Sequence, residues 1–342
     1  MKLTRFIIGR LGARSEPGSL RPVDPEEELA QRRVGTMIGA WRLERMLGVG
    51  GMASVFEGRR SDGVVAAVKL LHEYLASYDE VRLRFLREGP IGSALAAVGP
   101  LCQGLPQVYE SGVAQDGTSY MAMELLDGET IATRLSKLGP MAPGQALWVA
   151  QQVLDVLVVA HAYDIIHRDI KPENLLLLAT GGLKVLDFGV AKVLSALPDG
   201  SLLPDKTRTK TGAIIGSVDY MSPEQAIGKV QDIDGRSDIF GLGATLYHIL
   251  SGRPVHIAPG DALLLIAAAT KQAAPLATYA PHVPPTLCAV VDRALAKEKH
   301  ERYPDAATMR ADVVAVRAAK PPPYVTAIAE GRIAPGAPFS RR

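Results

Sequence analysis

The hydrophobic period of this chain switches near Gly128. Ahead of it, WRLERML, SVFEG and VVAAVKLL follow one another from Trp41, separated by Gly-rich and Ser-Asp-Gly turns. Such runs predict an antiparallel meander. A helix-like stretch over 78–95 comes next, then two further strand-like runs, PQVYESGVA and SYMAMELL. Beyond Gly128 a helical period dominates 146–163, 237–250, 286–296 and 306–318, broken by one short hairpin, LLLL-ATGG-LKVL. The fold class implied is α+β, with two lobes: a small antiparallel-sheet lobe with one main helix, and a larger, mostly helical lobe.

The boundaries follow from composition. Residues 1–36 read as a tail and linker, 37–123 as the small lobe, 124–128 as a connection and 129–318 as the large lobe. Residues 319–342 read as an extended or disordered Pro/Gly-rich tail. A net charge of +2 makes no case for a nucleic-acid partner. Cys102 and Cys288 form no metal or redox motif, which suits a reducing, cytoplasmic setting. No apolar run approaches the ~20 residues of a membrane span, and 153–160 and 262–269 read as pieces of buried helix. At the N-terminus, Leu3, Phe6, Ile7 and Leu11 share a helical face against Lys2, Arg5, Arg10 and Arg14. A basic amphipathic helix suits contact with a membrane surface or a partner, but one short helix binds weakly, so a frayed tail is the favoured reading.

The chemistry concentrates around HRDIKPEN, residues 167–174. Asn174 immediately precedes the first strand of the hairpin and Asp187 follows the second. Antiparallel pairing brings those ends to about 5 Å from each other. An amide oxygen and a carboxylate there are hard ligands of the kind Mg²⁺ prefers. Asp169 and Lys171 lie on the loop entering the same end.

HRDIKPEN, with Asp-Phe-Gly at 187–189, resembles the catalytic loop and metal-binding motif of eukaryotic-type (bacterial, Hanks-type) serine/threonine protein kinases. The resemblance spans roughly residues 37–318. It implies that Asp169 orients the attacking hydroxyl and accepts its proton, that Lys171 steadies the γ-phosphate, and that Asn174 and Asp187 hold Mg²⁺ or Mn²⁺ on ATP. Lysine two residues after the aspartate resembles Ser/Thr rather than Tyr specificity.

GVGGMASV, residues 48–55, resembles the family's glycine-rich loop, with Gly48 and Gly50 beside the phosphates and Ala53 where a third glycine is usual. Val55 and Ala67 would line the adenine site, with Leu176 beneath it. Lys69 would reach the phosphates. Strand alternation puts Val65, Ala67, Lys69 and Leu71 on one face. In the following helix Val81, Phe85, Glu88 and Leu95 share a stripe, so Glu88 needs a partner, and the resemblance supplies Lys69. YMAMELLDGE resembles the hinge, with Met123 as gatekeeper and the backbones of Glu124 and Leu126 facing the adenine edge.

Farther along, GSVDYMSPEQ resembles the family's substrate-binding turn, which implies a Glu224–Arg302 pair. RSDIFGLG resembles the start of its central helix, with Asp238 capping the catalytic loop. Arg168 could read a phosphate on Thr207, Thr209 or Thr211.

Gly89-Pro90 directly after Glu88 departs from the pattern. Interior proline costs a helix about 3 kcal/mol, so the helix is expected to kink or end there, and an activating partner, self-association or phosphorylation would then set it. Two alternatives stay open: a nucleotide-binding scaffold with little turnover, and a small-molecule kinase of the same fold. Protein substrates carrying Ser/Thr are the implied partners.

Overall fold

The computed structural model describes residues 25–96, 103–187 and 218–339. The small lobe is built on a six-stranded antiparallel sheet of order β1-β2-β3-β4-β6-β5. Its strands are β1 (Met37–Ile38), β2 (Trp41–Val49), β3 (Ala53–Arg59), β4 (Val65–Leu71), β5 (Val108–Val113) and β6 (Ser119–Glu124). Alternation at the start of β2 buries Trp41 and Leu43 and exposes Arg42 and Glu44, as a half-covered strand requires. Register shifts after Leu43 and Met46 then break it, so Leu47 is buried in a different cluster. β3 is buried along nearly its whole length because both faces are covered. Ile38, Trp41, Phe56 and Val68 fill the outer face, whereas Ala53, Leu71, Val81, Phe85 and Met121 pack beneath the main helix.

Part of the segment read as linker is folded. α1 (Pro25–Arg32) opens on Glu26, Glu27 and Glu28 and closes on Arg32, charges that complement the helix dipole. Its Ala30 is buried in the outer core, and Arg33 just beyond it bonds Asp116 at 2.7 Å and Thr118 at 2.6 Å. A stretch of only eight residues with one buried apolar side chain carries almost no periodic signal.

The short α2 (Glu73–Ala76) and the main helix α3 (Asp79–Ala96) complete the small lobe. The large lobe comprises β7 (Gly128–Thr130), α4 (Ile131–Leu138), α5 (Pro143–Ala162), β8 (Leu175–Leu178), β9 (Leu183–Val185), α6 (Pro223–Ile227), α7 (Gly235–Ser251), α8 (Asp261–Thr270), α9 (Pro285–Ala294), α10 (Ala306–Arg317) and α11 (Pro323–Ala329). The long helices fall within a few residues of their expected bounds. α5 and α7 lie at the centre of the core. The expected hairpin is joined by β7 into a three-stranded sheet, β7-β8-β9. A Cβ on Gly128 would sit 2.0 Å from the Leu177 carbonyl oxygen, so this approach of β7 to β8 admits only glycine.

Two expectations are corrected. The apolar run 262–269 is not a buried helix throughout: Leu264, Ala267 and Ala268 face inward, while Leu263 and Ile266 remain half-exposed, because α8 packs along one side only. The described part of the C-terminal segment, residues 319–339, is folded, not extended. Asp312, fully buried on α10, accepts the Tyr324 and Val325 amides at 2.7 and 3.1 Å and the Tyr303 hydroxyl at 3.0 Å. It thereby satisfies the first donors of α11, and Tyr324 seals the contact against Tyr303 and Phe339. Among the described residues no helix is long and apolar enough to cross a membrane.

Candidate active site

The hairpin delivers the expected convergence. Leu175 pairs with Val185, and the Leu186 amide donates to the Asn174 carbonyl at 2.8 Å, so Asn174 and Asp187 emerge from one end. A 3₁₀ turn, Pro172–Asn174, folds the preceding loop back. The Asn174 Nδ2 donates to the Asp169 carbonyl at 2.8 Å and to Asp169 Oδ2 at 3.0 Å. Lys171 Nζ lies 2.9 Å from the same Oδ2. Burial alone would lower the Lys171 pKa, but the Asp169 carboxylate more than offsets it and keeps the ammonium charged.

Asp169 is held through its backbone as well. His167 is fully buried, and that burial pushes its imidazole pKa down. A neutral ring with the proton on Nε2 fits both contacts: Nε2–H donates to the Leu186 carbonyl at 3.0 Å, and Nδ1 accepts the Asp169 amide at 3.2 Å. The buried Asp238 accepts the His167 amide at 2.8 Å and the Arg168 amide at 2.6 Å. Between them Arg168 adopts φ 66° and Asp187 φ 50°, left-handed values that non-glycine residues hold only when their surroundings impose them.

Opposite stands Lys69, 2.6 Å from Asp187 Oδ1 and 3.5 Å from Glu88 Oε1. Desolvation alone would lower the Lys69 pKa, but the two carboxylates together raise it. The carboxylates fare differently. Burial raises Glu88, with Lys69 opposing and Asp187 adding to the rise, whereas Asp187, despite its own desolvation, is held down by Lys69. Lys69 therefore favours Asp187 over Glu88 in this state.

The expectation that α3 ends after Glu88 is corrected: the helix runs on to Ala96. Pro90 has no amide hydrogen to donate to the Leu86 carbonyl, and the Ser111 hydroxyl on β5 points at that oxygen from 3.5 Å. Gly89 is buried against the same serine; a Cβ there would lie 2.8 Å from Ser111 Oγ. The Gly-Pro pair thus suits close docking on β5, with Ser111 compensating for the missing donor. The Leu95 side chain lies outside the described residues.

On the sheet face that carries Lys69, Leu47, Val55 and Ala67 form one buried apolar cluster with Met123 and Leu125. Register explains this: Val55 pairs with Lys69 and Ala67 with Met123, while Gly48 pairs with Val55 at the mouth of the β2–β3 turn. Gly50 closes that turn by donating to the Ala53 carbonyl at 2.9 Å. Leu126 lies in the short irregular link between β6 and β7. Leu176, fully buried on β8, pairs with Thr130 and Lys184.

Sequence reading missed Leu47, Leu125 and a clasp behind the hinge. Lys184 Nζ reaches the Leu105 carbonyl at 2.7 Å and Glu124 Oε2 at 3.1 Å, and that carboxylate also accepts the Gln107 amide at 3.2 Å. Leu105 is buried in the large-lobe core, so the link after α3 is anchored on both lobes. Strand parity alone would put Leu47 with Trp41 and Leu43; the register shifts after Leu43 and Met46 turn it to the Val55 and Ala67 side. Nothing local marks Lys184, whose partners lie 60 and 79 residues away.

The residues fit a hard divalent cation. Asn174 commits its Nδ2 to Asp169, which leaves the amide oxygen as the atom a cation would take, and Asp187 contributes a half-exposed carboxylate. No group of three His, Cys, Asp or Glu side chains suited to a metal occurs among the described residues. Two oxygen donors suit an ion whose other ligands are phosphate and water.

Glu224 on α6 meets Arg302 in a buried bidentate pair at 2.7 and 2.9 Å. Arg302 spends its other donors on the Ala296, Arg236 and Lys297 carbonyls, and Ser237 donates to Glu224 at 2.6 Å. Burial pushes the Glu224 pKa up, but Arg302 and Ser237 outweigh it and hold the carboxyl below its ordinary value. Thr207, Thr209 and Thr211 lie outside the described residues.

Comparison with known proteins adds two findings. A family model described as "Protein kinase domain" matches residues 41–312. Among curated proteins, the chain is 35% identical to serine/threonine-protein kinase Pkn1 of Myxococcus xanthus, over 88% of this chain and 41% of that protein. It is 37% identical to PknB of Mycobacterium leprae and 38% identical to PknB of Mycobacterium tuberculosis, over 82% of this chain and 44% of each relative. The chain thus spans less than half the length of these bacterial relatives.

Proposed function

Because the chain belongs to the protein kinase domain family, we propose that it is a serine/threonine protein kinase that transfers the γ-phosphate of ATP to protein hydroxyls. One observation carries the proposal. The Asp169 carboxylate is fixed between Lys171 and Asn174 at 2.9 and 3.0 Å, on a loop pinned by Asp238.

Asp169 aligns the acceptor hydroxyl and takes its proton. Lys171, already ion-paired with Asp169, is placed to steady the transferring phosphoryl group. Lys69 orients the α- and β-phosphates, and Leu47, Val55, Ala67, Met123 and Leu125 enclose the adenine, with the backbones of Glu124 and Leu126 facing its edge and Leu176 beneath. Gly48 and Gly50 let backbone amides approach the phosphates. Asn174 and Asp187 would hold Mg²⁺ or Mn²⁺, which supplies charge neutralisation on the phosphates when bound. Alignment and electrostatics account for such catalysis, with little covalent chemistry asked of the protein.

Proteins with Ser/Thr hydroxyls are the substrates, and the cytoplasm, which supplies ATP and keeps Cys102 and Cys288 reduced, is the site of action. Autophosphorylation at Thr207, Thr209 or Thr211, read by Arg168, is the proposed control, with self-association or an activating partner as its trigger. The test is incubation with labelled ATP and Mg²⁺ followed by phosphoamino-acid analysis. Label on Ser and Thr, absent in Asp169→Asn and Asp187→Asn, is the expected result. Label on Tyr alone, or label persisting in both variants, contradicts the proposal.

A further inference from the structure

Resting on the kinase reading, we infer that Gln225 is a positioning residue for Asp169, coupling the Ser222–Pro223–Glu224 turn to the catalytic loop. Gln225 Oε1 accepts the Ser222 amide at 3.1 Å and its hydroxyl at 3.0 Å. Because an N–H must face an oxygen, this fixes the orientation of the side-chain amide, and Nε2 is the atom turned outward. That nitrogen donates to the Arg168 carbonyl at 2.8 Å, across 57 residues of sequence.

The bond falls where it has the most leverage. Arg168 is the left-handed residue immediately before Asp169. Its amide is held by Asp238 on one side and its carbonyl by Gln225 on the other. The peptide linking Arg168 to Asp169 is thus clamped from α6, and a peptide rotation there would swing the Asp169 carboxylate away from Lys171 and Asn174.

α6 is itself anchored next door, where Glu224 meets Arg302 and Ser237. A shift of the substrate-side turn on that anchor therefore passes to the base through the Gln225 side chain. Asp238 fixes the loop to the core helix α7; Gln225 fixes it to the platform.

Two variants separate this role from simple capping of α6. Gln225→Ala loses both contacts. Gln225→Glu keeps an oxygen for Ser222 but has no N–H for the Arg168 carbonyl. Steady-state kinetics, thermal midpoints and hydrogen exchange over 166–171 are compared in the full chain. Both variants are expected to lose about tenfold to 100-fold in kcat, with the KM for ATP within about twofold of wild type. Exchange over 166–171 rises in both, while α6 and α7 in Gln225→Glu exchange as in wild type. Wild-type kcat in Gln225→Glu, or loosening spread over α6 and α7, overturns the inference. Should the wild-type chain itself transfer no phosphate, the functional reading fails and exchange decides alone: a local rise over 166–171 upholds the link, and none refutes it.

Discussion

The Lys69 ammonium lies 2.6 Å from the Asp187 carboxylate, across 118 residues of sequence. Glu88, at 3.5 Å, is the weaker partner, and its pKa is pushed up to about 7 by burial, against Lys69 and with Asp187 adding to the rise. A carboxyl whose folded pKa exceeds its ordinary 4.5 binds its proton more tightly in the folded chain. Its stabilising contribution is complete below that ordinary value and is lost as pH rises through the folded value.

The nucleotide-free protein should therefore lose stability relative to Glu88→Gln as pH rises from 4.5 towards 7, with no further change from this group above it. Thermal midpoints of both proteins across that range check this. A constant difference, or one favouring wild type as pH rises, contradicts it.

Gly89→Ala introduces a Cβ 2.8 Å from Ser111 Oγ and 3.0 Å from its Cβ. Overpacking of this kind costs about 1–3 kcal/mol, more than the roughly 1 kcal/mol of helix propensity alanine regains. The expected outcome in urea denaturation is net destabilisation. Adding Ser111→Gly should recover part of it, and strict additivity of the two changes would count against the contact.

Lys184→Met should uncouple the hinge clasp by leaving the Leu105 carbonyl and the Glu124 carboxylate without its ammonium. A double-mutant cycle with Glu124→Gln is expected to give a coupling of about 0.5–3 kcal/mol. A coupling near zero would reduce the clasp to a surface contact.

Tyr324→Ala removes a fully buried ring from the α10–α11 contact. Large aromatic truncations of this kind cost about 3–5 kcal/mol. An unchanged urea midpoint would mean that α11 does not contribute to the fold's stability.

The same residues mark which parts of the fold and the site are legible in the amino-acid sequence. The ends of the 175–185 hairpin follow from strand length alone, so strand pairing by itself puts Asn174 and Asp187 together. Glu88 stands out because it interrupts an apolar stripe, and its partner Lys69 lies on the inward face of β4. The course of α3 beyond Glu88 is not legible, because the group that compensates Pro90 is a serine on another strand, 25 residues from Leu86. The C-terminal helix is hidden for a similar reason. Its Pro/Gly-rich composition suggests an extended tail, and the determinant of its docking is Asp312, buried on a different helix. Gln225 and Lys184 act over 57 and 60 residues through a hydrogen bond and an ion pair that no periodicity announces.

The most direct test of the central claim separates nucleotide binding from turnover in a single variant. Asp169→Asn keeps an oxygen for the Asn174 amide but cannot accept the acceptor hydroxyl's proton. It should bind ATP and Mg²⁺ with wild-type affinity and lose about 10²- to 10⁴-fold in phosphate transfer to Ser/Thr. Transfer at the wild-type rate by Asp169→Asn would contradict the account.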